Sequence, residues 1–174
     1  MNDAVSPDPS LKSPDGLPEG RLEGRTAFQE AVRSALGAAQ VQGWSQLVLC
    51  DPDFQDWPLG ERGVVEALEA WSRRGRTLRI LAADFSHLRE AHPRFLRWRT
   101  TWGHLVEAHV CPHAPDHELP TALWTPAWTL ERLDPLRFTA VATCATDRRV
   151  ELQERLMAWW RRGTPGFPAT TMGL

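Results

Sequence analysis

The chain has no tyrosine, three cysteines, a single lysine and no long apolar run, and each shortage excludes something. No stretch approaches the roughly 20 apolar residues that a bilayer-spanning helix needs, so no membrane span is expected. The opening MNDAVSPDPSLKSPDG has neither the basic nor the apolar segment of a secretion signal, which points to a cytoplasmic protein. Cys50, Cys111 and Cys144 are too scattered for a disulfide framework. Each falls in or at the end of a predicted strand, as buried, reduced thiols do. A formal charge of −2 gives no global attraction to polyanions. The GxSxG elbow, the P-loop and the GxGxxG turn are all missing, so the commonest hydrolase and nucleotide signatures are excluded.

What is present is tryptophan, nine residues, and arginine in place of lysine, on a chain of 174 residues that suits one domain. Residues 1–24, rich in Pro, Ser, Asp and Gly, read as a disordered lead, residues 25–163 as the domain, and the Gly/Pro-rich 164–174 as a flexible tail. Thr26 is placed to cap a helix, with Gln29 completing a capping box and Phe28, Val32, Leu36 and Ala39 forming its buried face. QLVLC at 46–50 is an unbroken apolar run, as in a strand covered on both sides. A helix over 61–74, carrying Val64, Leu68 and Trp71 on one face, leads to a second strand over 77–83. Strand, helix, strand at this spacing predicts a parallel pair joined by a right-handed crossover. Ser86 opens a short helix, and Pro93 opens another with Phe95, Trp98 and Trp102 on one side. Strands follow over 104–111, 121–124 and 136–144, and Asp147 caps a last helix that ends near Arg162. The expected fold is a single α/β domain with a mostly parallel, then mixed, sheet of about five or six strands flanked by helices.

The segment EALEAWSRRGRTLRILAAD (residues 66–84) resembles the helix–strand unit of phospholipase D-like domains, in which a helix ending in Arg-Gly feeds a strand closed by aspartate. LVLCDPDFQDWPL (47–59) is similar to that superfamily's first strand and the loop after it. The resemblance implies one phospholipase D-like half-domain. The family's catalysis uses a His-x-Lys-x(4)-Asp signature, in which histidine attacks phosphorus and lysine holds the phosphoryl oxygens. Here the only lysine is Lys12, and none of His87, His92, His104, His109, His113 or His117 is followed by lysine two residues later. No catalytic residue carries over.

Three groups remain as candidate sites. Asp51 and Asp84 stand at the carboxyl ends of the two parallel strands, where such sheets place their ligands, although aspartates there also serve as caps and turn formers. Arg94, Arg97 and Trp98 suit phosphate grasping or base stacking, against the alternative of an amphipathic helix with solvated arginines. His109, Cys111, His113 and His117 combine zinc-type ligands, but they lack a second ligand pair and Pro112 and Pro115 interrupt them. The tryptophan pairs 124/128 and 159/160 are expected to leave at least one ring of each in an exposed interface patch. The sequence therefore favours a non-catalytic module that docks to a protein or to itself, with no cofactor. The alternatives are a nucleic-acid or phosphate binder, and a metal-dependent hydrolase, with zinc as the candidate metal, built on His109, Cys111 and His113 with Asp51 and Asp84.

Overall fold

The unbroken apolar run is β2 (Gln46–Cys50), and its burial explains its composition. Leu47 and Leu49 enter one hydrophobic cluster while Val48 and Cys50 enter a second on the opposite face. The computed structural model describes residues 13–14, 16–115 and 118–169. Around β2 the chain runs β1 (Gly20–Glu23), α1 (Arg25–Val41), α2 (Arg62–Ser72), β3 (Thr77–Ala82), α3 (Ser86–Ala91), α4 (Pro93–Thr101), a 3-10 turn at Gly103–Leu105 and β4 (Val106–Val110). It continues through β5 (Thr121–Trp124), β6 (Thr129–Asp134), β7 (Thr139–Thr143), α5 (Thr146–Arg162) and β8 (Thr164–Pro165).

The strands form one sheet of eight in the order β1-β7-β6-β5-β2-β3-β4-β8. This corrects the expectation of five or six strands. Among the described residues only β2–β3 and β3–β4 pair in parallel, and every other pairing is antiparallel. The βαβ expectation therefore holds for the centre, but the sheet as a whole is mixed rather than mostly parallel. Three strands carried no apolar signal. β6 (TLERLD) hides its charges by pairing them, Glu131 with Arg155 and Arg132 with Asp56. β1 and β8 are short edge strands lying in the segments read as lead and tail.

The described part of that lead is tied down. Leu17 is buried, and the Glu19 carboxylate accepts bonds from the Thr143 hydroxyl (2.6 Å) and the Cys144 backbone N–H (3.0 Å). Residues 1–12 lie outside the described residues. The Thr26 capping box does not form. The helix begins one residue earlier, after Gly24, whose φ of 91° is open to glycine and disfavoured for other residues. Gln29 instead donates its amide to the Asp56 carbonyl at 2.9 Å.

Helices α1 to α4 cover one face through Phe28, Val32, Leu36, Leu68, Trp71 and Phe95. On the other face α5 packs Leu152 and Leu156 onto Val48, Leu81 and Ala122. The turn after α2 is set by Trp71, which is buried and donates its indole N–H to the Trp44 carbonyl at 2.6 Å. A Cβ at Gly75 would lie 2.5 Å from that ring, whereas one at Gly37 on α1 would meet nothing within 4 Å. Gly75→Ala is therefore expected to lower stability by about 1–3 kcal/mol through overpacking. Gly37→Ala should raise it by up to about 1 kcal/mol through helix propensity. Urea unfolding of the two variants checks the pair.

Candidate functional site

The loops leaving β2, β3 and β4 meet the β6–β7 hairpin over the carboxyl ends of the parallel strands, where open α/β sheets place ligands. Three adjoining hollows of about 360, 230 and 230 Å³ lie there and share Glu118, Pro115, Leu119 and Arg132 among their walls. Five prolines, Pro52, Pro112, Pro115, Pro120 and Pro135, stiffen the walls. The hairpin beside the crevice carries Leu133 and Leu136, which are 60% and 91% exposed.

At its floor sits Asp51, only 1% exposed. One carboxylate oxygen accepts the backbone N–H groups of Asp53 (3.0 Å) and Phe54 (2.7 Å), bending the loop so that Phe54 takes a φ of 60°. The other accepts the Thr121 hydroxyl at 2.6 Å and lies 3.7 Å from Arg132 Nη2. Arg132 also donates to Thr121 Oγ1 (3.2 Å) and to the Asp56 carboxylate (3.0 Å), which Arg25 reaches from its far side at 3.2 Å. The Arg132 guanidinium lies over the rings of Phe28 (5.6 Å) and Phe138 (5.0 Å). Burial pushes the Asp51 carboxyl above its ordinary range, and the bonds from Thr121 and the two backbone amides oppose that shift. The Trp57 indole N–H, buried and short of hydrogen-bond geometry, also favours the charged form. With three donors and a guanidinium around it, this carboxylate holds loop 51–56 to β5 and β6.

The other sequence candidates fall apart spatially. Asp84 is exposed and accepts Ser86 N–H (2.9 Å) and Oγ–H (2.7 Å), bonds that hold its carboxyl below the usual range and turn the chain into α3. Arg94 and Arg97 are exposed on α4, but Trp98 is buried against α2 and donates to Ser72 Oγ at 3.1 Å. The amphipathic-helix reading therefore describes α4, and a stacking face here lacks its ring, because the i, i+3 spacing of Phe95 and Trp98 turns both into the core. Arg94 and Arg97 instead border a groove of about 290 Å³ between α2 and α4, shared with Glu66 and Glu69.

His109 stacks on Trp160 at 3.7 Å between ring centroids, with Nδ1 2.8 Å from the Trp160 carbonyl oxygen. The Cys111 thiol points to the Trp159 carbonyl at 3.6 Å, and burial pushes its pKa up. His113 lines the largest hollow, and His117 lies outside the described residues. Among the described residues, no three His, Cys, Asp or Glu side chains come together as metal ligands.

The expected tryptophan patch is also corrected at 124/128, since both rings are buried. Trp124 donates to the Arg149 carbonyl (3.0 Å) on one side of the sheet and Trp128 to the Pro18 carbonyl (2.9 Å), because the turn between them sends the rings to different clusters. Trp159 and Trp160 are half-buried, beneath Arg162 (4.8 Å) and His109 respectively. Thr121, Arg25 and Arg132 escaped sequence reasoning, as did the pairing of Asp56, an aspartate of the same carboxyl edge, with Arg132. Arg132 and Asp56 are 76 residues apart, and no local pattern pairs them.

A mixed sheet with a parallel centre, four helices on one face and one long helix on the other is a phospholipase D-like α/β fold. The structure is similar to Nuc from Salmonella typhimurium, a phospholipase D family member, with a TM-score of 0.57 and 12% identity over 84% of this chain and 97% of that one. It is also similar to TrmBL2, an archaeal chromatin protein with a novel mode of DNA binding, with a TM-score of 0.62 and 15% identity over 84% of this chain. The match spans 53% of the chromatin protein, about half its length. No family model and no curated protein matches the sequence. The likeness is one of fold.

Two outcomes test this electrostatic reading. Arg132→Met, which leaves buried Asp51 without its cation and Asp56 with Arg25 alone, is expected to cost about 3 kcal/mol in urea unfolding. At the α3–α4 junction, burial and then the neighbouring His87 hold His92 below its ordinary 6.5, and its Nε2 has no partner among the described residues. The unfolded chain therefore binds more protons than the folded one just below pH 6.5, so stability should fall as pH drops through that value. His92→Gln should flatten that part of the Tm–pH curve.

Proposed function

We propose that this chain is a non-catalytic binding module on a phospholipase D-like scaffold, taking its ligand or partner in the crevice over the carboxyl ends of β2, β3 and β4. The observation that carries this reading is the state of Asp51. It is the acid at the position where such a sheet would place reactive groups, and its oxygens are engaged in holding the loops together. Among the described residues the crevice walls offer prolines, leucines, paired charges and one imidazole, His113, without a lysine beside it. Such a lining suits recognition by shape and apolar contact, with Glu118 and Arg132 setting polarity. Bis(p-nitrophenyl) phosphate is expected to be hydrolysed at the background rate, with or without added divalent metal. Turnover that disappears in Glu118→Gln or His113→Ala would overturn the reading. In an amide-shift fragment screen, hits are expected to move the amides of His113, Ala114, Glu118, Leu119 and Thr121. Shifts clustered elsewhere, with these residues still, would count equally against it.

A second reading, nucleic-acid binding, is favoured by Arg73, Arg74, Arg76 and Arg97, exposed arginines that form no ion pair among the described residues, and by the likeness to a chromatin protein. It requires affinity for a DNA duplex that falls by orders of magnitude between about 50 and 200 mM salt. It also requires that Arg73→Ala/Arg74→Ala flatten the salt slope. Fluorescence anisotropy measures both.

A further inference from the structure

Residues 163–169 lie over the outer edge of β4 like a bound peptide. Thr164 and Pro165 pair with Val110 and His109, and the Gly166 N–H donates to the Ala108 carbonyl at 3.0 Å. Two glycines permit the approach. A Cβ at Gly163 would meet Cys111 Sγ at 3.0 Å, and one at Gly166 would meet Val110 Cγ1 at 2.9 Å. Phe167 then drops into a socket, 3% exposed, stacked on Phe85 at 4.7 Å with the guanidinium groups of Arg89 (5.4 Å) and Arg99 (5.9 Å) over its ring. Arg99 donates to the Phe167 carbonyl at 3.3 Å, and Thr100 Oγ1 to the Ala169 carbonyl at 2.9 Å.

This strap has the features of a displaceable occupant. Its ladder is two residues long, and one of them is a proline without an N–H. Its anchor residue holds a φ of 51°, the left-handed region that a phenylalanine disfavours. Beneath it, Arg99 is 6% exposed, carries a buried Nε without a partner and meets no carboxylate among the described residues. A buried guanidinium satisfied only through the carbonyls of Gly103 and Phe167 is a group built to receive peptide backbone.

We propose that the outer edge of β4, with the Phe85–Arg89–Arg99 socket, is a strand-addition site for an extended peptide bearing an aromatic anchor after a small residue. In the resting chain residues 163–169 occupy this site as a stand-in for that peptide. Exposed sheet edges recruit extended chains through main-chain bonds, and side-chain pockets supply the selectivity. The site adjoins the carboxyl-edge crevice at Cys111, but its socket of Phe85, Arg89 and Arg99 lies outside it, and the proposal does not depend on the reading given for the crevice.

The test uses the full chain carrying Phe167→Ala, with its fold checked by thermal melting, and the hexapeptide TPGFPA (residues 164–169) as probe. Binding is followed by the amide shifts of Phe85, Ala108 and Val110. The variant is expected to bind TPGFPA at least tenfold more tightly than the unaltered chain does, and TPGAPA at least tenfold more weakly than TPGFPA. Equal binding to variant and unaltered chain, no binding by a folded variant, or dimerisation of the variant in place of peptide uptake would each overturn the proposal. If the variant does not fold, hydrogen exchange on the unaltered chain decides. The Gly166 amide is expected to exchange at least 100-fold faster than that of Ile80, and exchange at the core rate would show a strap that never lifts.

Discussion

Burying the Asp51 carboxylate at the end of β2 is the constraint on which the carboxyl edge of the molecule depends. An isolated carboxylate removed from water is prohibitively unfavourable, so the surrounding chain must supply donors and positive charge. Loop 51–56 supplies two backbone amides, β5 a hydroxyl and β6 a guanidinium. Arg132 in turn needs Asp56, which brings in Arg25 at the start of α1. The partners come from loop 51–56, β5, β6 and the start of α1, so a single buried acid ties together four pieces of chain. The prolines then fix what the charges have positioned, and the result is a crevice with stiff walls.

The two faces of the sheet carry different duties. Four helices bury the first face, whereas the second has α5 alone, so polar residues of the outer strands are answered by pairing rather than by cover. Arg79 meets Glu107 on one side of α5, and Arg155 meets Glu131 on the other. Half-exposed pairs of this kind add little stability individually. Their use is to keep charged strand positions compatible with a single covering helix. The reactive-looking residues of this face, His109 and Cys111, are absorbed in the same way by the last turn of α5.

The parts of the fold legible in the sequence were those governed by hydrophobic periodicity. β2, β5 and the proline-started α4 stand where the pattern places them, because burial on both faces, or on one helical stripe, leaves no other arrangement of those residues. β6 was invisible because its charges look solvated until Arg155 and Asp56 are known to be near. β1 and β8 were invisible because two to four residues hold no period, and what fixes them is the partner strand. Of the candidate site, Asp51 was legible from its place at a strand exit. The turn-forming half of its role was legible as well, and the Asp53 and Phe54 amides meet it; the other half was not, since only the distant Thr121 and Arg132 show the carboxylate to be saturated. Trp98 went the other way, as the spacing that marked it as core outweighed the arginines that made it look like a binding ring.

The sheet order also has an architectural consequence. β1 and β8 are the first and last strands in sequence, and they form opposite edges of the sheet. At ~4.8 Å between neighbouring strands, these two edges stand about 34 Å apart across the sheet. Six strands therefore separate the two edges, and a contact made at one edge is held a full sheet's width from a contact made at the other.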